Sequence, residues 1–392
     1  MQWGIYCRNK RSRKITGQLI TMANIQKVII ILDIILTIIN STDLKMKLWY
    51  NCLKKDWGFF RMTDTRDNGI SFIRVVSMFI IIATHFITEI DSISFMGQIT
   101  NAAVNTFLLI SAYLFSKKDI LKPSQWLGKR LKRILIPFYV YLIVFFLYKV
   151  IVGQFEISVF LIYSFNLQGV LGKTEGIGHL WFITTIMFCY LITPLLDKYK
   201  DRFINNTKTQ RTLAIAALLT IWIMITYLVN VTIGIIVGYL VFFTICYLLS
   251  LVVNINISNK GFLLLTSITF LAQVARLLFR MTMEGTLTYN VIVFCISNGI
   301  LGVFLFIVLY KFNKVYNSQL VQKVVNYFDN ISYEMYITHY AFIVGPFTIW
   351  GISDSLLVNI LLVLAATYLS AVLLNKASNY ILSDSGTKLL TN

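Results

Sequence analysis

Ten long apolar runs, separated by short polar connections, dominate the chain: 70–90, 99–116, 134–152, 178–197, 212–229, 231–252, 261–279, 289–310, 333–352 and 355–375. The runs are continuous and show no period-two alternation, so they predict helices, not half-buried strands. Each approaches the roughly 20 residues that a helix needs to cross about 30 Å of hydrocarbon. In that medium the backbone is satisfied only by helices or a closed barrel. The expected fold class is therefore all-α: a polytopic integral membrane bundle of about ten transmembrane helices, with both termini on one side.

Composition strengthens this reading, because 57% of the 392 residues are hydrophobic and only 13% are charged, against about a quarter charged in a soluble domain. The formal charge of +18 would suggest a nucleic-acid partner in a soluble protein. Here its distribution gives another explanation. The basic stretches 117–133, 198–211 and 311–323, with Lys260 and Lys376, all fall on the side of the amino terminus. That pattern marks the cytoplasmic side and a surface facing anionic lipid. The opposite connections hold Glu89, Asp91, Glu156 to Glu175, Arg280 to Glu284, and turns near Asn230 and Ser353, with no basic surplus. No basic platform interleaved with aromatic residues is present, so no nucleic acid is expected.

Residues 1–61 differ from the rest. Val28 to Ile39 is apolar but short, is interrupted by Asp33 and follows the basic stretch Arg8 to Lys14. It fits an interfacial helix better than a span or a cleaved signal. A second reading is that translation begins at Met62, since the codons of Trp57-Gly58 supply the purine-rich TGGGG that a bacterial ribosome-binding site requires. The domain division is then an amino-terminal extension, 1–61, and a transmembrane domain, 62–392. The connections between spans are too short to hold a second domain.

Five cysteines show no Cys-x-x-Cys spacing, and there are only three histidines, His85, His179 and His339. No metal site is expected. Arg74 and His85 stand in the first run with ten residues between them, so they share roughly one helix face about 16 Å apart. Ionisable residues within a span are functional candidates. The plainer alternative makes Arg74 a snorkelling anchor and His85 an interfacial hydrogen-bonding residue. Glu89, one turn beyond His85, is placed to accept from one imidazole nitrogen or else to form a surface ion pair. Arg276 and Arg280 lie near the outer end of the seventh run, as snorkelling residues or as contacts to an anionic glycan or lipid-linked phosphate.

The second run ends in Asn105-Thr-Phe-Leu-Leu-Ile-Ser111-Ala-Tyr113-Leu-Phe115, and a basic connection leads to Lys129-Arg130-Leu-Lys132-Arg133-Ile-Leu-Ile-Pro137. Gly178-His179-Leu-Trp181-Phe182 opens the fourth run, and Ile331-Ser332-Tyr333-x-x-Tyr336-x-x-His339 opens the ninth. These elements, in this order after Arg74 and His85, resemble the acyltransferase-3 family of bacterial membrane proteins. Ala112 stands where that family usually carries glycine, a change that removes no reactive group.

The resemblance implies transfer of an acyl group, usually acetyl, from cytoplasmic acetyl-coenzyme A to a hydroxyl of a sugar in a cell-surface polysaccharide, at the bacterial plasma membrane. His85 is then the general base, with Arg74 guiding the donor. Arg130 and Arg133, supported by Lys129 and Lys132, offer cationic forks to the coenzyme's phosphates, although the positive-inside pattern accounts for their charge without a ligand. His179 and Trp181 face the acceptor or form an interfacial aromatic belt. Tyr333, Tyr336 and His339 are expected to enter from the cytoplasmic side as helix contacts or tunnel lining. Two rival readings remain: a transporter or flippase of a sugar or lipid-linked precursor, and an acyltransferase using succinyl or another acyl group.

Overall fold

The computed structural model describes residues 67–172 and 176–388; the readings of residues 1–61 and of Met62 lie outside them. The apolar runs become ten long helices: α1 (Asn68–Glu89), α2 (Ala102–Ser116), α3 (Pro123–Ile151), α4 (Trp181–Asn205), α5 (Lys208–Leu228), α6 (Val231–Val252), α7 (Asn259–Met283), α8 (Phe294–Lys311), α9 (Gln319–Ile343) and α10 (Leu356–Lys388). No strand occurs among the described residues. Asn68–Trp350 with Ser355–Asn392 forms one compact unit.

Nine helical stretches among the described residues are long and apolar enough to cross a bilayer; the protein is a multi-pass membrane helix bundle. The tenth long helix, α9, corrects the expected run at 333–352. It begins at Gln319 and ends at Ile343. Lys323, Asp329 and Glu334 lower its hydropathy, yet Asp329 and Glu334 are buried in the protein and not turned to lipid. A hydropathy scan sees only the apolar second half of such a helix.

Burial ranks the helices from centre to rim. In α1 and in the stretch that contains α2, 56% and 61% of the most apolar window is buried, against 11% in α5 and in α7. The centre therefore lies around α1 and α2, with α9 beside α1. Close approach at that centre uses small residues: Thr106 Oγ1 of α2 donates to the Gly302 carbonyl of α8 at 3.1 Å. Such contacts are how helices pack where lipid offers no hydrophobic driving force. Ala112 of α2 is fully buried.

Helices α1 and α9 run in the same direction, side by side. Arg74 of α1 meets Asp329 of α9 at 2.6 Å, and the ring of His85 lies 5.1 Å from that of His339. Eleven residues on one helix thus match ten on the other. Both intervals rise about 15 to 16 Å at 1.5 Å per residue.

Candidate active site

The three histidines of the chain converge from three different elements. His85 stands one turn before the end of α1, His179 sits in the 3₁₀ turn Gly178–Leu180 that leads into α4, and His339 lies one turn before the end of α9. His339 is the hub, with its ring centroid 5.1 Å from that of His85 and 5.1 Å from that of His179. Tyr340 closes the group, 4.8 Å from each of the other two histidines.

Backbone carbonyls set the tautomers of two of these rings. His339 Nδ1 is 2.7 Å from the Tyr336 carbonyl. A carbonyl only accepts, so Nδ1 carries the proton and the neutral ring leaves a lone pair on Nε2. His179 Nε2 faces the Ile337 carbonyl at 2.9 Å, which by the same argument leaves a lone pair on Nδ1. Both lone-pair nitrogens are buried without a hydrogen-bond partner among the described residues.

His179 is held against α9 by its surroundings. The Tyr336 hydroxyl donates to its backbone carbonyl, and the Tyr163 hydroxyl donates to the carbonyl of Ile177 at 3.3 Å. Gly176 adopts a φ of 87°, and a side chain at Gly345 would come within 2.6 Å of the Ala341 Cα and 3.0 Å of the Gly176 carbonyl. The turn before His179 therefore lies flush on the end of α9, an approach that only glycine permits. The preceding connection is fastened to α4 as well, since Thr184 Oγ1 donates to the Asn166 carbonyl at 2.9 Å and Gln168 Nε2 donates to the Leu180 carbonyl at 3.0 Å.

A second cluster lies at the opposite end of α1. Arg74 donates to Asp329 Oδ1 at 2.6 Å while Ser71 Oγ donates to Oδ2 at 2.9 Å, so this buried carboxylate is held on both oxygens. Arg130 and the buried Tyr190 of α4 are within electrostatic reach of Arg74, and Arg133 is within reach of Arg130 and Tyr190. Arg130 also lies over the rings of Phe115 and Trp126, at 5.1 Å and 5.8 Å. The sequence placed the Lys129 to Arg133 stretch in a loop; it is instead the second turn and beyond of α3, which starts at Pro123. Helical spacing of three then brings Arg130 and Arg133 to one face. Lys129, Lys132 and Arg133 are exposed, and Arg130 is half-buried.

The protein-family model described as an acyltransferase domain matches residues 67–376. The chain belongs to the acyltransferase-3 family. Neither the curated proteins nor the solved structures yield a match.

The acyltransferase-3 elements read from the sequence fall into distinct places. His85, His179, Tyr336 and His339 share the histidine cluster. Arg74, Arg130 and Arg133 share the cationic cluster, and Tyr333 bridges toward it by donating from its hydroxyl to the Ile134 carbonyl of α3 at 2.9 Å. Trp181 packs on Tyr239, ring centroids 5.1 Å apart, while Glu89 ends α1 one turn beyond His85. Ser111 and Tyr113 lie toward the other end of α2, where Lys117 Nζ sits 5.6 Å over the Tyr113 ring and donates to the Ser250 carbonyl at 2.6 Å. Tyr113 and Lys117 line an open recess of about 310 Å³ with Leu251 to Ile255.

His339 differs most from the sequence expectation. With α9 starting at Gln319, His339 lies about 30 Å along the helix, at the same end of the bundle as the other two histidines. Asp329, Tyr340 and Tyr190 were missed by sequence reasoning. Only Asp329 left a signal there, as an acidic residue two positions before the Ile331-Ser332-Tyr333 element. Among the described residues no group of three or more His, Cys, Asp or Glu side chains, the three histidines included, is disposed to hold a metal ion.

Proposed function

We propose that the protein transfers an acetyl group from cytoplasmic acetyl-coenzyme A to a hydroxyl of a sugar destined for a cell-surface polysaccharide, with His85 as general base, in the plasma membrane of a bacterium. Membership of the acyltransferase-3 family carries the reaction class. The observation that most favours this use of the site is the meeting of His85, His179 and His339 at one end of α1, about 16 Å from the guanidinium cluster at the other.

The residues at the cationic end fit the donor. Arg130 and Arg133 offer planar forks for phosphate oxygens, exposed Lys129 and Lys132 add charge, and Arg74 marks the route along α1 toward His85. The basic connections put this end in the cytoplasm, where the donor is made. The histidine cluster then belongs to the outer half, on the side of an exported acceptor.

In the reaction His85 takes the proton of the acceptor hydroxyl as its oxygen attacks the thioester carbonyl; the new C–O ester bond forms, the C–S bond breaks, and the thiolate leaves with the coenzyme. A neutral imidazole, with one ring nitrogen free to take a proton, suits that work. The lone pairs fixed on His339 Nε2 and His179 Nδ1 give the proton neighbouring acceptors within one ring layer. Loss of O-acetyl groups from surface glycan on deletion of the gene, restored by the intact gene, tests the assignment; unchanged acetylation with impaired precursor export would replace it with transport.

A further inference from the structure

Helix α7 faces lipid along most of its length, and its buried residues are Thr269 and Arg276. Its one deeply buried long side chain is therefore a cation, with Arg276 only 4% exposed. Neutral groups surround it. Arg276 donates to Asn298 Oδ1 of α8 at 2.9 Å and to Gln98 Oε1 at 3.2 Å, lies 5.3 Å over the Phe294 ring, and has the Tyr289 hydroxyl beside it. Among the described residues no carboxylate pairs with it, and its neighbour Arg280 is matched by Glu284 at 3.2 Å instead.

A buried charge without a counter-charge is costly, and this site holds further donors that lack acceptors. Asn298 Nδ2 is buried without a hydrogen-bond partner, and the Tyr289 hydroxyl, buried beside Arg276, offers its proton to no acceptor among the described residues. On the turn of α8 after Asn298, Gly299 and Gly302 pack against Asn105, whose amide nitrogen and oxygen are both unpaired. Tyr289 is presented by a π-helical turn, Thr288–Val293, a distortion that recurs at functional sites. The guanidinium carries five N–H groups in a fork that matches an oxyanion. What the site is short of is acceptor oxygens bearing negative charge.

Its position relates it to the histidines. Arg276 lies about 25 Å along α7 from Asn259, in the outer half. Tyr239 is within electrostatic reach of it and packs on Trp181, two residues after His179. Tyr239 thus joins the surroundings of Arg276 to the start of α4, and α7 stands at the rim of the bundle, with only 11% of its most apolar window buried.

We infer that Arg276, with Asn298 and Tyr289, binds the phosphate of a lipid-borne acceptor that enters from the outer leaflet beside α7. The word acceptor rests on the proposed acyl transfer; the phosphate site does not.

The test uses the full-length protein in dodecyl maltoside, without acetyl-coenzyme A, and follows thermal stability during titration with dodecyl phosphate, dodecanol or glucose 1-phosphate. Dodecyl phosphate is expected to stabilise the wild type and dodecanol is not. Arg276→Gln should weaken the apparent affinity by about tenfold or more, as loss of a charge-assisted bond implies, with Arg276→Lys intermediate and Arg280→Gln unchanged. Equal responses to dodecyl phosphate and dodecanol in the wild type overturn the site even if the Gln variant fails to accumulate. An equal response to glucose 1-phosphate overturns the lipid-borne source. A protein that binds dodecyl phosphate but transfers no acetyl refutes the acyl-transfer reading alone, and one that transfers acetyl without distinguishing the two amphiphiles refutes this inference alone.

Discussion

Arg74 and Asp329 form an ion pair across α1 and α9 at 2.6 Å, with the carboxylate fully buried and the guanidinium 28% exposed. Ser71 occupies the second carboxylate oxygen. Because the two helices run parallel, this contact sets the register that brings His85 against His339 one helical rise of about 16 Å away. A shift of either helix by one residue would rotate the two imidazoles off a common face.

Removing one member of a buried pair leaves the other uncompensated. Asp329→Ala is therefore expected to cost about 3 kcal/mol, the lower end of the range for such deletions because Arg74 keeps some contact with solvent. It should also reduce acyl transfer through lost register. The thermal midpoint in detergent, read together with transferase activity, checks this; an unchanged midpoint would show that the pair does not fix the helices.

Tyr336 and Tyr333 make different predictions although they lie three residues apart. Tyr336→Phe frees the His179 carbonyl and loosens a residue of the cluster, so turnover should fall about fivefold for a bond worth about 1 kcal/mol. Tyr333→Phe frees the Ile134 carbonyl on α3, and should lower stability by a similar amount with little change in turnover. Steady-state kinetics of the two variants side by side distinguish the roles.

Gly345→Ala places a methyl 2.6 Å from the Ala341 Cα, where backbone must move. Overpacking of this kind costs about 1 to 3 kcal/mol. The methyl would also lie 3.0 Å from the Gly176 carbonyl in the turn that carries His179, so activity is expected to fall more steeply than stability. Parallel activity and melting measurements would contradict this if the two losses were proportionate.

The guanidinium cluster predicts a donor-specific defect. Arg133→Ala should raise KM for acetyl-coenzyme A with kcat largely kept, since it removes binding shared by ground and transition states. Arg130→Ala should do the same and also destabilise, because its side chain packs over Phe115 and Trp126. Lys129→Ala and Lys132→Ala are expected to act weakly, and less so as salt is raised. A kcat defect without a KM change for Arg133→Ala would remove it from the donor site.

Much of the fold was legible because hydrocarbon imposes a simple rule. The run 231–252 coincides with α6, and the other spans except the ninth differ from their helices mainly at the ends. The rule fails where a helix is shielded by protein. Helix α9 buries Asp329 and Glu334 against its neighbours, so its first half reads as polar, and its start was placed near residue 333. That displacement moved His339 to the wrong end of the bundle in the sequence expectation. Arg74 and His85 were legible as a pair because both lie on one helix. Their partners Asp329 and His339 were not, since pairing between elements some 250 residues apart leaves no local pattern. The three-histidine cluster exists only once α1, α4 and α9 are packed.

The most direct test of the account measures acetyl transfer by the purified full-length protein in lipid nanodiscs, from labelled acetyl-coenzyme A to surface glycan, for the wild type and for His85→Ala at equal abundance. The account predicts coupled release of coenzyme thiol and formation of glycan O-acetyl ester by the wild type, with a loss of about 100-fold or more in the variant, the scale of a missing general base. Undiminished transfer by His85→Ala would contradict it.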